Sequence, residues 1–96
     1  MEFEWDDEKA QGNYKKHGIR FSEAVTTFRD SYALEMLDQE SSASEDRWLR
    51  LGRSSHLKVL VVVYCERLSP ERVRIISARR ATSREIEYYL RGLHEE

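Results

Sequence analysis

The unbroken apolar run Val59 to Val63 constrains this chain more than any other feature. A short run of β-branched residues bounded by turn signals reads as a strand that is apolar on both faces, so it demands cover above and below. The next apolar segment, Val73-Arg74-Ile75-Ile76-Ser77-Ala78-Arg79-Arg80, reads as its antiparallel partner and carries arginines out of the same framework. A cation fixed on a strand can face a phosphate without first losing the freedom of a loop. The same arrangement also suits a partner-binding surface.

With 96 residues the chain has room for one domain, over 1–96, and an adequate core. Apolar residues make up 40% and charged residues 35%, enough of the former to exclude wholesale disorder. The single Cys65 excludes an intrachain disulfide and a cysteine-rich metal site, and it reads as a small buried hydrophobe. No apolar stretch approaches the roughly 20 residues that span a bilayer, and the first residues are acidic, so a soluble cytoplasmic protein is expected.

The net charge of −2 hides a segregation. Acids gather at Glu2, Glu4, Asp6, Asp7 and Glu8 and again between Glu35 and Asp46, whereas Arg67 to Arg84 holds six arginines against Glu71 alone. A local basic field on an acidic body still attracts an anion, because salt screens exposed charges beyond about 8–10 Å.

Local grammar gives an α+β order. Phe3-Glu4-Trp5 reads as a short strand. Asp6 caps a helix from Asp7 to His17 that Gly18 closes, with Ala10, Tyr14 and His17 on one face. Ser22 is expected to cap a second helix reaching Phe28, with Ala24, Val25 and Phe28 inward. Ala33 to Asp38 reads as a strand, and Gln39 to Asp46 as a polar loop. Arg47 to Arg53 alternates, placing Arg47, Leu49, Leu51 and Arg53 on one face and Trp48, Arg50 and Gly52 on the other. Leu57 to Arg67 is the central strand, and a turn over 68–71 returns Arg72 to Arg79 antiparallel to it. Thr82-Ser83-Arg84-Glu85 fits a capping box, and Ile86, Tyr89, Leu90 and Leu93 form the apolar stripe of a last helix. The expected architecture is two N-terminal helices, an antiparallel sheet of about four strands and a C-terminal helix, an order that argues against parallel βαβ units.

Several pieces, in order, resemble a known family: Phe3-Glu4-Trp5-Asp6, Asn13, Lys16-His17-Gly18, Phe21-Ser22-Glu23-Ala24, Gly52-Arg53-Ser54, Val61-Val62-Val63-Tyr64, Glu66-Arg67, Arg74 to Arg79, Ala81-Thr82, Glu85 and Tyr88. Together they resemble the BrnT toxins. The resemblance implies a RelE-like fold, a ribonuclease that halts translation, and a BrnA-type antitoxin that neutralises it and, through its own DNA-binding part, takes the complex to promoter DNA. Asp7 stands where family members often have proline, and the 39–46 loop is this chain's own; neither touches a proposed catalytic group.

RNA cleavage without a metal needs a base for the 2′-hydroxyl proton, an acid for the 5′-oxygen and cations for the charged phosphorane. His17 is the candidate acid or base, since imidazole titrates near neutrality, or else it only caps its helix. Arg53, Arg74 and Arg79 are candidates for phosphate because guanidinium holds oxygen pairs through a planar fork; as surface or antitoxin contacts they have a plainer explanation. Glu66 and Tyr64 share a face and are candidates for a general base and for a proton donor or base stack, with Lys16 and Arg80 adding contacts to substrate. Glu85 reads as a capping carboxylate, Tyr88 as packing, and His56 and His94 as surface residues. No metal site and no cofactor are expected: the histidines are scattered and no CxxC or HExxH motif occurs.

Two other functions compete, a catalytically inactive toxin-like fold that acts as a binding or co-repressor module and an unrelated structural module. All the site candidates rest on one expectation, that the arginines converge over a shared hollow with an imidazole within reach.

Overall fold

The computed structural model describes residues 1–38, 46–66 and 71–94. The expected loop over 39–46 and hairpin turn over 68–71 lie outside them except for their last residues, Asp46 and Glu71. Five strands, β1 (Glu2–Glu4), β2 (Leu34–Leu37), β3 (Arg47–Arg53), β4 (Val59–Glu66) and β5 (Arg72–Arg80), and three helices, α1 (Asp7–His17), α2 (Phe21–Thr26) and α3 (Ser83–His94), form an α+β fold. The sheet runs β1-β5-β4-β3-β2. It has one strand more than expected and is mixed, because β1 joins the β5 edge in parallel, with Glu2 beside Arg72 and Glu4 beside Arg74. Alternation read along one strand fixes its faces but not its neighbour, so this pairing was out of reach of the local pattern.

Register sorts the strands into two faces, since directly opposed residues share one. Leu60, Val62 and Tyr64 pair with Gly52, Arg50 and Trp48, and this face lies under α1 and α2. In β5 the pairing slips between Val63–Ser77 and Tyr64–Ile75, leaving Ile76 as the extra residue of a bulge. The bulge lets Ile75 and Ala78, an odd number of residues apart, both face the helices, where 1% and 0% of their surfaces stay exposed. Ile19, Phe21 and Ala24 close this core from the helical side. Phe28 meets Phe3 and Tyr64 edge-on at 5.0 Å each, and burying each such side chain stabilises the fold by about 1.5–3 kcal/mol.

Among the described residues α3 alone lies above the second face. Val61 and Cys65 are buried, yet Met36 and Tyr88 remain 52% and 55% exposed, so cover here is partial.

Helix ends follow local chemistry. Asp6 Oδ1 accepts from the Lys9 amide at 3.0 Å, and Gly18 adopts φ 71° while its N–H meets the Tyr14 carbonyl. Thr82 Oγ1 accepts from the Glu85 amide at 3.2 Å and Glu85 Oε1 from the Thr82 amide at 2.8 Å, the reciprocal pair expected of a capping box. The second helix differs from its expectation. It opens at Phe21 rather than at a Ser22 cap, the Arg20 carbonyl accepts from Glu23 and Ala24, and a 3₁₀ turn over Thr27–Arg29 replaces its last turn. Starting two residues earlier, with Arg20 at the cap position, brings Phe21 into the core, which outweighs a surface hydroxyl cap of about 1 kcal/mol.

Candidate active site at one end of the sheet

β3 ends, β4 begins and β5 ends on the same side of the molecule, and there the chain places Arg53, Lys58, Arg79 and Arg80. Beneath the end of β3 lies Asp30, which follows the 3₁₀ turn. Its Oδ2 accepts from the Arg53 amide at 2.8 Å and from the Tyr89 hydroxyl at 2.6 Å, and its Oδ1 from the Tyr32 amide at 3.0 Å. Burial pushes the Asp30 carboxyl up, but the hydrogen bonds from Arg53, Tyr89 and Tyr32, with the Arg50 charge, outweigh it and hold the group below its usual value. Burial and then the bond to Asp30 push Tyr89 up to about 12, so its hydroxyl keeps its proton at neutral pH. Around this hub opens a hollow of about 490 Å³ whose wall includes Arg29, Tyr32, Arg53, Ser55 and Tyr89. Two guanidinium groups and a phenol face a space large enough for a phosphate and its sugar.

Arg50 is the strut below. Its Nε and Nη2 donate to the Thr27 and Asp30 carbonyls at 3.0 and 3.1 Å, Nη1 lies 3.0 Å from Glu35, and the guanidinium sits 4.7 Å from the Phe28 ring centre. This cation belongs to the core and not to a substrate.

The β3–β4 connection is a tight turn, Ser55-His56-Leu57, closed by the Ser54 amide on the Lys58 carbonyl at 2.8 Å and the Leu57 amide on the Ser54 carbonyl at 2.9 Å. Leu57 takes φ 63°, the left-handed conformation that completes three-residue hairpin turns. On the far side of this turn lies a second hollow, of about 270 Å³, bordered by Tyr14, Arg20, Glu23, His56 and Lys58. Ser55 and Thr26 border both hollows, so the two lie side by side at the turn.

His17 and Lys16 reach the same end by another route. β1 stops at Glu4, leaving the outer edge of β5 open at Ala78, and Asn13 serves as the missing strand. Its Oδ1 accepts from the Ala78 amide at 3.0 Å and its Nδ2 donates to the Ala78 and Ile19 carbonyls at 2.8 and 2.9 Å. His17 follows Asn13 by one helical turn, about 6 Å along α1. His17 is half-buried, while Lys16 and Arg80 are exposed.

Arg79 shares this end, but its fork is occupied: Nη1 and Nη2 lie 2.8 and 2.9 Å from the two Glu85 oxygens. That hydrogen bonding raises the Arg79 pKa and, from the other side, pulls Glu85 down to about 2. Glu85 is therefore both a cap for α3 and a clamp on Arg79.

Three sequence candidates lie apart from this site. Tyr64 is only 3% exposed and its hydroxyl is bound by Glu35, so it cannot stack a base; burial drives its pKa far above the ordinary value. Arg74 lies 3.2 Å from Glu4 at the opposite end of the sheet. Glu66 ends β4 there, seven strand residues or about 20 Å from the level of Arg53. Of the sequence candidates Arg53 borders the first hollow, whereas His17, Lys16, Arg79, Arg80, Arg74, Glu66 and Tyr64 line neither of the two, so the expected convergence over one shared hollow is not what the described residues form. Residues the sequence reading passed over, Arg29, Asp30, Glu23 and His56, border the hollows instead. Among the described residues no three His, Cys, Asp or Glu side chains come together as metal ligands, and no helix is long and apolar enough to cross a membrane.

A small α+β protein whose cations crowd one end of a partly covered sheet, around hollows with titratable groups, belongs to the class that handles polyanions. The comparisons make this specific. The family model of the ribonuclease toxin BrnT of type II toxin–antitoxin systems matches residues 5–85, and the chain belongs to that family. The chain is similar to the crystal structure of the Brucella abortus ribonuclease toxin BrnT, with a TM-score of 0.65 and 24% identity over 86% of this chain and 99% of that one. No curated protein matches the chain. The fold is thus that of BrnT, and the chain is a ribonuclease toxin of a type II toxin–antitoxin system, which implies an antitoxin protein as its partner.

Proposed function

We propose that this ribonuclease is a metal-independent endonuclease that lays RNA across the cationic end of its sheet and so blocks translation in the cytoplasm. The observation that carries the reading is the setting of Arg53: its amide is pinned by Asp30 while its side chain borders the 490 Å³ hollow with Arg29. Arg53 and Arg29 hold the scissile phosphate and stabilise the phosphorane, as preorganised donors do best where charge develops. Lys16 and Arg80 add contacts to the RNA backbone, and Arg79 contributes field while its fork stays on Glu85.

The partner reading is a BrnA-type antitoxin. Leu34, Met36, Leu49, Leu51, Val61 and Tyr88 line an apolar hollow of about 410 Å³ beside Arg84, on the sheet face that α3 leaves open. An exposed apolar patch of this kind supports a protein partner, and promoter DNA then binds through the antitoxin and not through the toxin alone.

Purified chain incubated with single-stranded RNA in EDTA tests the chemistry. Fragments are expected, and Arg53→Ala should lower the cleavage rate about 100-fold. Activity abolished by EDTA and restored by Mg²⁺ would refute metal independence, and full activity in the variant would refute the site.

A further inference from the structure

The geometry points to His56 as the general base of the cleavage reaction, held in place by Glu23; the assignment rests on the ribonuclease reading above and names the group that takes the proton. Glu23 is a carboxylate only 8% exposed, on α2. Its Oε2 accepts from the Ser54 hydroxyl at 2.7 Å, and its Oε1 lies 3.5 Å from His56 Nδ1. A buried carboxylate is costly unless it is bonded, and here both of its oxygens face the turn that presents the imidazole. The turn is braced from three directions: the His56 and Lys58 amides donate to Ser54 Oγ at 3.2 and 3.4 Å, and the Ser55 amide donates to Thr26 Oγ1 at 2.9 Å.

The His56 side chain itself is 64% exposed at the mouth of the 270 Å³ hollow. With the proton on Nδ1, toward Glu23, Nε2 is left bare and free to accept. The groups that border the same space are the carboxylate of Glu23 on α2, the guanidinium of Arg20 before α2, the ammonium of Lys58 at the start of β4 and the phenol of Tyr14 on α1. Arg20 lies 4.3 Å from the Tyr14 ring centre, which steadies a long side chain at the rim. One base, its orienting acid and two cations thus border a space next to the Arg53 hollow, with Ser55 in the wall of both.

In the reaction the 2′-oxygen bonds to phosphorus and the P–O5′ bond breaks. The 2′ proton goes to His56 Nε2, the departing 5′-oxygen takes a proton from water, and the imidazolium returns its proton to the hydroxide so formed. Atoms and charge close on a 2′,3′-cyclic phosphate and a 5′-hydroxyl. His56 is the catalytic residue and Glu23 a positioning residue.

The test uses the full chain, a short single-stranded RNA and single-turnover rates across pH. His56→Ala, on an exposed turn, should leave the fold intact and lower the rate by about 10²–10⁴-fold, the range of a general base. It should also lose the wild-type pH limb and regain rate when imidazole is added to the buffer. Glu23→Gln keeps an acceptor for Ser54 but removes the carboxylate beside Nδ1, so it should lower the maximal single-turnover rate without changing the RNA concentration at half-saturation. A wild type that cleaves beside a His56→Ala variant that cleaves equally well overturns the assignment alone. A wild type that leaves RNA intact overturns the ribonuclease reading together with it.

Discussion

The two ends of β5 carry the same residue type to opposite effect. At its start, Arg72 and Arg74 meet Glu2 and Glu4, because the parallel β1 brings the N-terminal acids alongside at 3.0 and 3.2 Å. At its finish no strand among the described residues pairs the outer edge: Asn13, a neutral amide, caps it, and Arg80 stays exposed. A guanidinium on a strand is therefore not in itself a phosphate site. What decides is whether a carboxylate reaches it, from the neighbouring edge as for Arg72 and Arg74 or from α3 as for Arg79.

The largest effect expected is on the strut between the two ends. Arg50→Ala takes one donor from each of the Thr27 and Asp30 carbonyls, which keep the Asp30 and Ala33 amides, and leaves Glu35 with the Tyr64 hydroxyl, so urea unfolding should show a loss of about 3 kcal/mol, with cleavage falling as the floor of the Arg53 hollow loosens. An unchanged midpoint would mean that the 3₁₀ segment holds itself.

Next comes the acid dependence of the Arg79–Glu85 clamp. Glu85 has its folded pKa depressed from 4.5 to about 2, so its stabilisation is fully present above the unfolded value and is lost as pH falls through the folded one. Thermal melts of wild type and Glu85→Gln should differ at neutral pH and converge as pH drops from about 4.5 toward 2. A gap that persists at pH 2 would show that packing of α3, and not charge, is responsible.

The smallest effect belongs to the paired end. Arg72→Ala should change stability by less than about 1 kcal/mol, since its partners are exposed, and should leave RNA cleavage unaltered. A fall like that of Arg53→Ala would erase the distinction between the ends.

Much of the fold was legible because it is encoded locally. Asp6 and Gly18 bound α1, Thr82 and Glu85 open α3, and the alternation from Arg47 to Arg53 gives the faces of β3 as they are found. Each depends on residues within one turn or one pleat. The site was less legible. Arg53 was readable as a strand-end cation, yet the partners of Arg74 and Arg79 were not. His56 read as a surface residue, because the carboxylate that orients it sits 33 positions away on α2.

The sequence by itself determined the elements, their apolar faces and the segregation of charge, since these follow from steric preference, spacing and composition along a few residues. The tertiary structure decided which arginines are neutralised and which border a hollow, that Asn13 completes an edge, and that Tyr64 is core. Those outcomes depend on register and on a bulge at Ile76, which bring together groups dozens of positions apart, and no local pattern carries that distance.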